Sequence, residues 1–388
     1  MTPLPPLGLY LHLPWCVQKC PYCDFNSHAL RGPLPETDYL TALLRDAAWE
    51  APTATGRSVR TIFIGGGTPS LFSPAAIGQL LEGLSQHLTV AGDAEITLEA
   101  NPGTVEQKRF EGFRAAGVNR LSIGVQSFDA GQLHRLGRIH GPGEARAAAR
   151  AARAAGFERF NLDLMFALPD QDLAGAVADV DAAIALEPEH ISHYQLTLEP
   201  GTAFHARPPA LPDEDLAADM EAACAERLAA AGFVRYEVSA WSRPGGACRH
   251  NLNYWRFGDY LALGAGGHGK LSTSDGRIQR TRKVALPRHY QTVAGTPAAV
   301  AEAWEVPADE RVLEYLMNAL RLVDGAPRAE ALARTGLPWS AFAPGVAEAR
   351  ARGWMVSDPE RLAATAEGLR FLNDLLGLFL EPATEAAS

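Results

Sequence analysis

The chain has 388 residues, 47% hydrophobic and 21% charged, and a formal net charge of −10. This length is enough for one large core plus a smaller unit, and the acidic balance argues against nucleic-acid binding through a global positive field. No apolar run approaches the roughly 18–20 residues of a membrane span. The N-terminus lacks a basic n-region and a small-residue cleavage site, so a cytoplasmic protein is expected. Three of the five cysteines are clustered, which fits a reducing compartment where thiols stay free for metal.

In chain order, Gly8 to Leu13 is a short apolar run and reads as a buried strand. The loop after it carries Cys16, Cys20 and Cys23, spaced C-x3-C-x2-C. Three thiolates on one loop suit three irons of a [4Fe–4S] cluster, leaving the fourth iron open to a small molecule. A disulfide with a spare thiol, or a zinc knuckle completed by His12 or His28, are the alternatives.

Helix over Glu36 to Glu50 precedes a second strand, Val59 to Ile64, which ends in Gly65-Gly66-Gly67-Thr68. The pattern then predicts helix from Pro74 to His87, strand from Ala94 to Leu98 and helix from Val105 to Ala116. Strand four is Arg120 to Val125, followed by helical segments within Asp129 to Ala155. Strand five, Phe160 to Phe166, precedes helix from Leu173 to Leu186, and strand six is His190 to Leu198. A helix from Asp213 to Ala231 and a seventh short strand, Val234 to Trp241, complete this part. Short apolar runs alternating with helices imply a parallel sheet wound by right-handed crossovers, an α/β partial barrel. Polar and glycine-rich motifs follow the strands, where such barrels gather their working residues.

Beyond Trp241 the sequence becomes aromatic and glycine-rich, with a hairpin expected over Ser272 to Gln279. Helices are expected over Ala308 to Leu322, Arg328 to Thr335 and Ala341 to Arg352, with a last one over Thr365 to Phe379. The expected organisation is a barrel core over 1–240, a linking aromatic segment over 241–300 and a mostly helical, winged-helix-like unit over 301–388.

The cysteine motif resembles that of the radical S-adenosylmethionine (SAM) superfamily. The flanking Tyr10-x-His12-x-Pro14-Trp15-Cys16 narrows the resemblance to the oxygen-independent coproporphyrinogen III oxidase group and its HemW branch of heme chaperones. It implies a (β/α)6-type radical SAM barrel, a [4Fe–4S] cluster on Cys16, Cys20 and Cys23, and SAM on the open iron. Gly66, Gly67 and Thr68 would hold the amino group of SAM, while Glu99, Gln126, Arg138 and Asp163 supply ribose and carboxylate contacts. Tyr10 and the backbone of Tyr22 would complete that pocket.

A second constellation is His250-Asn251-Leu252-Asn253-Tyr254-Trp255, matching the H-N-x-x-Y-W string of the same branch. His250, or else Cys248, is the candidate for heme iron, and Tyr254 and Trp255 for the porphyrin face. Arg249 is a candidate partner for a heme propionate. An aromatic lid over the barrel mouth is the plain alternative. Oxidases of the group carry a fourth cysteine two residues after the third, where this chain has Phe25, and they have an N-terminal extension ahead of the position of Tyr10. The resemblance therefore implies a heme chaperone that passes heme to acceptor apoproteins, with an electron donor for its cluster. Oxidative decarboxylation of coproporphyrinogen III is the alternative, and a homodimer is compatible with the sequence.

Overall fold

The structure, a computed structural model, describes residues 4–103 and 108–380. Strand β1 (Leu7–Leu13) runs into a two-stranded parallel pair, β2 (Trp15–Cys16) and β3 (His28–Ala29), which brackets the cysteine loop. Five further strands follow: β4 (Val59–Gly66), β5 (Val90–Ala100), β6 (Arg120–Gln126), β7 (Phe160–Phe166) and β8 (His190–Gln195). With β1 they form a parallel array in chain order. Helices Glu36–Glu50, Pro74–Ser85, Phe110–Ala115, Pro142–Ala154 and Leu173–Ile184 make the crossovers. The expected helix from Val105 thus begins in part outside the described residues.

The local chemistry explains these elements. Side chains of Ser73, Asp129, Asp172 and Asp213 each accept a backbone N–H in the first turn of the following helix. Leu121, Ile123, Leu162, Leu164 and Ile191 are buried in the main apolar core. The alternate residues Ser122, Asn161, Asp163, His190 and Ser192 hydrogen-bond one another on the opposite face. Strand periodicity of two therefore gives the barrel an apolar outside, covered by helices, and a polar inside.

The expected seventh strand is two strands, β9 (Val234–Glu237) and β10 (Ala240–Ser242); β10 pairs antiparallel with β8, and β9 antiparallel with β10 at the sheet edge. The aromatic segment adds helix Arg249–Trp255 and strand β11 (Asp259–Leu263), which pairs parallel with β1. Strands β12 (His268–Ser272), β13 (Ile278–Lys283) and β14 (Val300–Glu305) extend that side antiparallel, so the expected hairpin is longer than predicted.

The C-terminal helices, among them Arg311–Ala319, Arg328–Thr335 and Ala343–Ala351, pack around a second core that includes Phe257, Tyr315, Leu316 and Phe342. The last expected helix breaks at Phe371, which leaves the helical region (ψ 38°) and stacks on Trp354. Backbone bonds tie this unit to the barrel: Val238 N–H donates to the Arg321 carbonyl at 3.0 Å, and Val323 N–H to the Tyr236 carbonyl at 3.1 Å.

Candidate functional site

A cavity of about 480 Å³ opens at the C-terminal ends of the parallel strands. Cys16, Cys20 and Cys23 are free thiols and all three line it. Their loop is held from several elements. Pro14 and Cys16 carbonyls accept the N–H groups of His28 and Leu30, at 2.7 and 2.9 Å. Gln18 reaches the Gly137 carbonyl, and the Asn26 amide donates to the carbonyls of Ala265 and Ala285. His12 accounts for both its ring nitrogens, against Tyr10 and the Asn26 carbonyl, and His28 contacts the Asn26 side chain. The two histidines considered as a fourth ligand therefore brace the loop. Among the described residues no three His, Cys, Asp or Glu side chains converge as ligands of a single ion. A cluster takes each thiolate on a different iron and does not need them to converge.

The triple glycine closes β4 for a packing reason. A Cβ on Gly67 would lie 2.6 Å from the Trp15 carbonyl oxygen, and one on Gly66, at φ +121°, 2.8 Å from the His12 ring. Without side chains the loop lies directly on the cysteine strand, where Gly67 and Thr68 N–H donate to Leu13 and Trp15 carbonyls.

Thr68 then starts a bonded arc. Its hydroxyl donates to Cys16 Sγ at 3.5 Å and accepts from Asn101 Nδ2 at 2.9 Å. Asn101 Oδ1 accepts from Arg138 Nη2 at 2.6 Å, and Arg138 Nη1 donates to Cys20 Sγ at 3.6 Å. Two of the three thiols are thus cross-braced through the ends of β4, β5 and β6. Asn101 belongs to the Glu99-Ala100-Asn101-Pro102 string that ends β5, and the following proline biases it away from helical backbone.

Glu99 and Asp163 line the same cavity. Glu99 accepts the Gly66 N–H at 3.0 Å and has no cationic partner among the described residues. Burial, and then the nearby Asp163, push its carboxyl up to about 8. Burial also raises Asp163, opposed by hydrogen bonds from Asn161 and Ser122. Gln126, at φ 69°, accepts from the Tyr194 hydroxyl at 2.8 Å. Tyr22, Gly66, Gly67, Thr68, Gln126, Arg138 and Trp255 are all in the lining, whereas Tyr10 sits behind it, stacked on Phe63.

The remaining heme candidates are not brought to this cavity. Cys248 is fully buried, with its thiol 3.6 Å from Glu95 Oε1, and burial pushes it up to about 11. His250 is 1% exposed, with Nδ1 2.8 Å from Thr61 Oγ1 and Nε2 2.9 Å from the Tyr254 hydroxyl. An axial bond from His250 would cost one of these contacts. Arg249 lies at the opposite end of the strands, donating to the Asp93 carbonyl at 2.7 Å. Of the H-N-x-x-Y-W string, Asn251 and Trp255 face the cavity. Residues missed from sequence include Glu237 and Arg321, which reach the cavity from β9 and from the C-terminal unit. No local motif marks them, because the contact between those two parts creates the site.

The parallel barrel and three-cysteine loop define a radical SAM protein. The chain matches the radical SAM superfamily over residues 10–181 and the HemN C-terminal domain over residues 306–371. Its fold resembles that of Escherichia coli coproporphyrinogen III oxidase (HemN), with TM-score 0.82 and 23% identity over 97% of this chain and 90% of that one. It is 52% identical to the heme chaperone HemW of E. coli, covering 98% of this chain and all of the relative, and 47% identical to that of Haemophilus influenzae, over 98% and 99%. A mouse mitochondrial radical SAM domain-containing protein is 35% identical, over 98% of this chain and 88% of its own. The chain belongs to the HemW family.

Proposed function

We propose that this chain is a heme chaperone: it binds heme at the barrel mouth and hands it to an acceptor apoprotein. The observation that carries the reading is the convergence of three free thiols, a half-buried Glu99 without a cationic partner among the described residues, and Arg138 on one cavity, in a chain 52% identical to a curated heme chaperone.

The residues fit both resident cofactors. Cys16, Cys20 and Cys23 would hold a [4Fe–4S] cluster, with Thr68 and Arg138 donating to the first two sulfurs. Such donors stabilise thiolate charge and tune the cluster. When bound, the cluster would supply one-electron chemistry, fed by an external electron donor. SAM is a sulfonium and an ammonium with a ribose diol and a carboxylate. Glu99, raised by burial, would regain its charge beside such a cation, and Arg138 would take the carboxylate. Gln126 and Asp163 offer acceptors for hydroxyls. The Gly66–Thr68 loop is fixed on Trp15 and so orients a bound ligand against the cysteines.

Phe25, where the oxidase group has a further cysteine, supports the chaperone reading over decarboxylation. The test is anaerobic purification with cluster reconstitution, then heme titration at the Soret band beside a coproporphyrinogen III assay. Saturable heme binding with no protoporphyrinogen formed is the expected result. Conversion of coproporphyrinogen overturns it.

A further inference from the structure

We infer that Arg321, contributed by the C-terminal unit, is the residue that receives a heme propionate, held in position by Glu237 and the Trp255 indole. This rests on the heme reading above and locates one end of the cargo within it. Arg321 follows helix Arg311–Ala319 and shares the cavity lining with the three cysteines, Trp255 and Glu237. Its guanidinium lies over the Trp255 ring, 4.4 Å from the centroid. Nη2 donates to Glu237 Oε2 at 2.9 Å, and Nη1 has no partner among the described residues.

The arrangement is what a carboxylate receptor needs. Glu237 is 4% exposed and holds the guanidinium through Nη2, while Nε is buried without a partner and Nη1 stays available. The Arg321 side chain keeps 27% exposure, so the charge is reachable from the cavity. Trp255 is half-buried in the same lining, with one ring face under the guanidinium, and its Nε1 is buried without a partner. A ligand with an apolar face and a peripheral carboxylate matches this pair of surfaces. Arg138, braced on Asn101, Gly124 and Cys20 by the cysteines, already has a different carboxylate to bind, that of SAM. The two arginines would therefore divide two carboxylates between them.

The test compares heme with heme dimethyl ester, in which the propionates are uncharged, by Soret titration of the full cluster-loaded chain. Wild type is expected to favour heme roughly ten- to hundredfold. Arg321→Gln should bind the ester as wild type does and lose that preference, while Arg321→Lys keeps part of it. SAM affinity and iron content should stay unchanged in both variants. Equal binding of both ligands by wild type overturns the assignment, as does a preference that survives in Arg321→Gln. Loss of SAM binding in Arg321→Gln with heme unaffected would make Arg321 a SAM residue and overturn it too. Failure of wild type to bind either porphyrin would sink the heme reading itself, and the assignment with it.

Discussion

His250 gives the sharpest separation between a structural and a ligating histidine, because its surroundings allow the cost of removing it to be worked out. The ring is 1% exposed and carries two hydrogen bonds, to Thr61 and to Tyr254, and its backbone N–H bonds Glu95. His250→Ala keeps the backbone bond but strands the Thr61 hydroxyl, buried at 3% exposure, and the Tyr254 hydroxyl. Each buried polar group left unpaired costs about 1–3 kcal/mol, and the emptied ring volume adds a cavity term. The expected loss is about 3–5 kcal/mol, a large share of the roughly 5–15 kcal/mol that holds a domain folded. Urea denaturation of the full chain should show a clearly lower midpoint, and heme affinity measured on the folded fraction should be near wild type. His250→Gln, which keeps an amide to bond one of the two hydroxyls, should recover part of the loss. A variant with an unchanged midpoint and a collapsed Soret titration would refute the argument and make His250 an iron ligand.

Other perturbations read other parts of the site. In Gly67→Ala the new methyl meets the Trp15 carbonyl at 2.6 Å, so the cysteine strand must move, and both iron per chain and melting temperature should fall. Arg138→Gln removes the donors to Cys20, Asn101 and the Gly124 carbonyl, and should weaken SAM binding roughly tenfold or more in equilibrium dialysis while lowering iron retention. His193, stacked on Phe166, is held near 4 by burial and then by Arg235, below the ordinary value of 6.5. The unfolded chain therefore takes up this proton first, so the stability tied to a neutral His193 is complete above about pH 6.5 and drains away as pH falls towards 4. Relative to His193→Gln, wild type should lose up to about 3 kcal/mol across that window in denaturation midpoints, and parallel curves would refute it.

The parallel strands were legible in the sequence because their apolar runs are short and bounded, although β5 starts four residues before the expected Ala94 and β8 stops three before the expected Leu198. The cysteine loop was legible for a chemical reason: thiols at that spacing have few other uses. The rest was less legible, because tertiary contact decides where those residues lie. Val234 to Trp241 looks like one strand, yet it folds on itself because β8 offers only one free edge. His250, Cys248 and Tyr254 look like ligands by type, but helix Arg249–Trp255 turns them into the barrel wall and gives Asn251 and Trp255 to the cavity. Arg249 likewise faces Asp93 at the far end, and the arginine that joins Arg138 in the cavity lining is Arg321, with a sequence separation of 84 from its partner Glu237.

The pairing of β1 with β11 also sets a schedule. Strand β1 is made before the other strands of the sheet, but its neighbour on one side is made some 250 residues later, Leu7 opposite Asp259. Asn26, which fixes the cysteine loop, finds its acceptors on Ala265 and Ala285. Contacts so distant along the chain form late, after most of the polypeptide exists. During synthesis the cysteines are therefore on an unanchored tether with one strand edge bare. The hydrogen bonds that seat the cysteine loop are complete only once Ala285 has been made, long after the cysteines themselves.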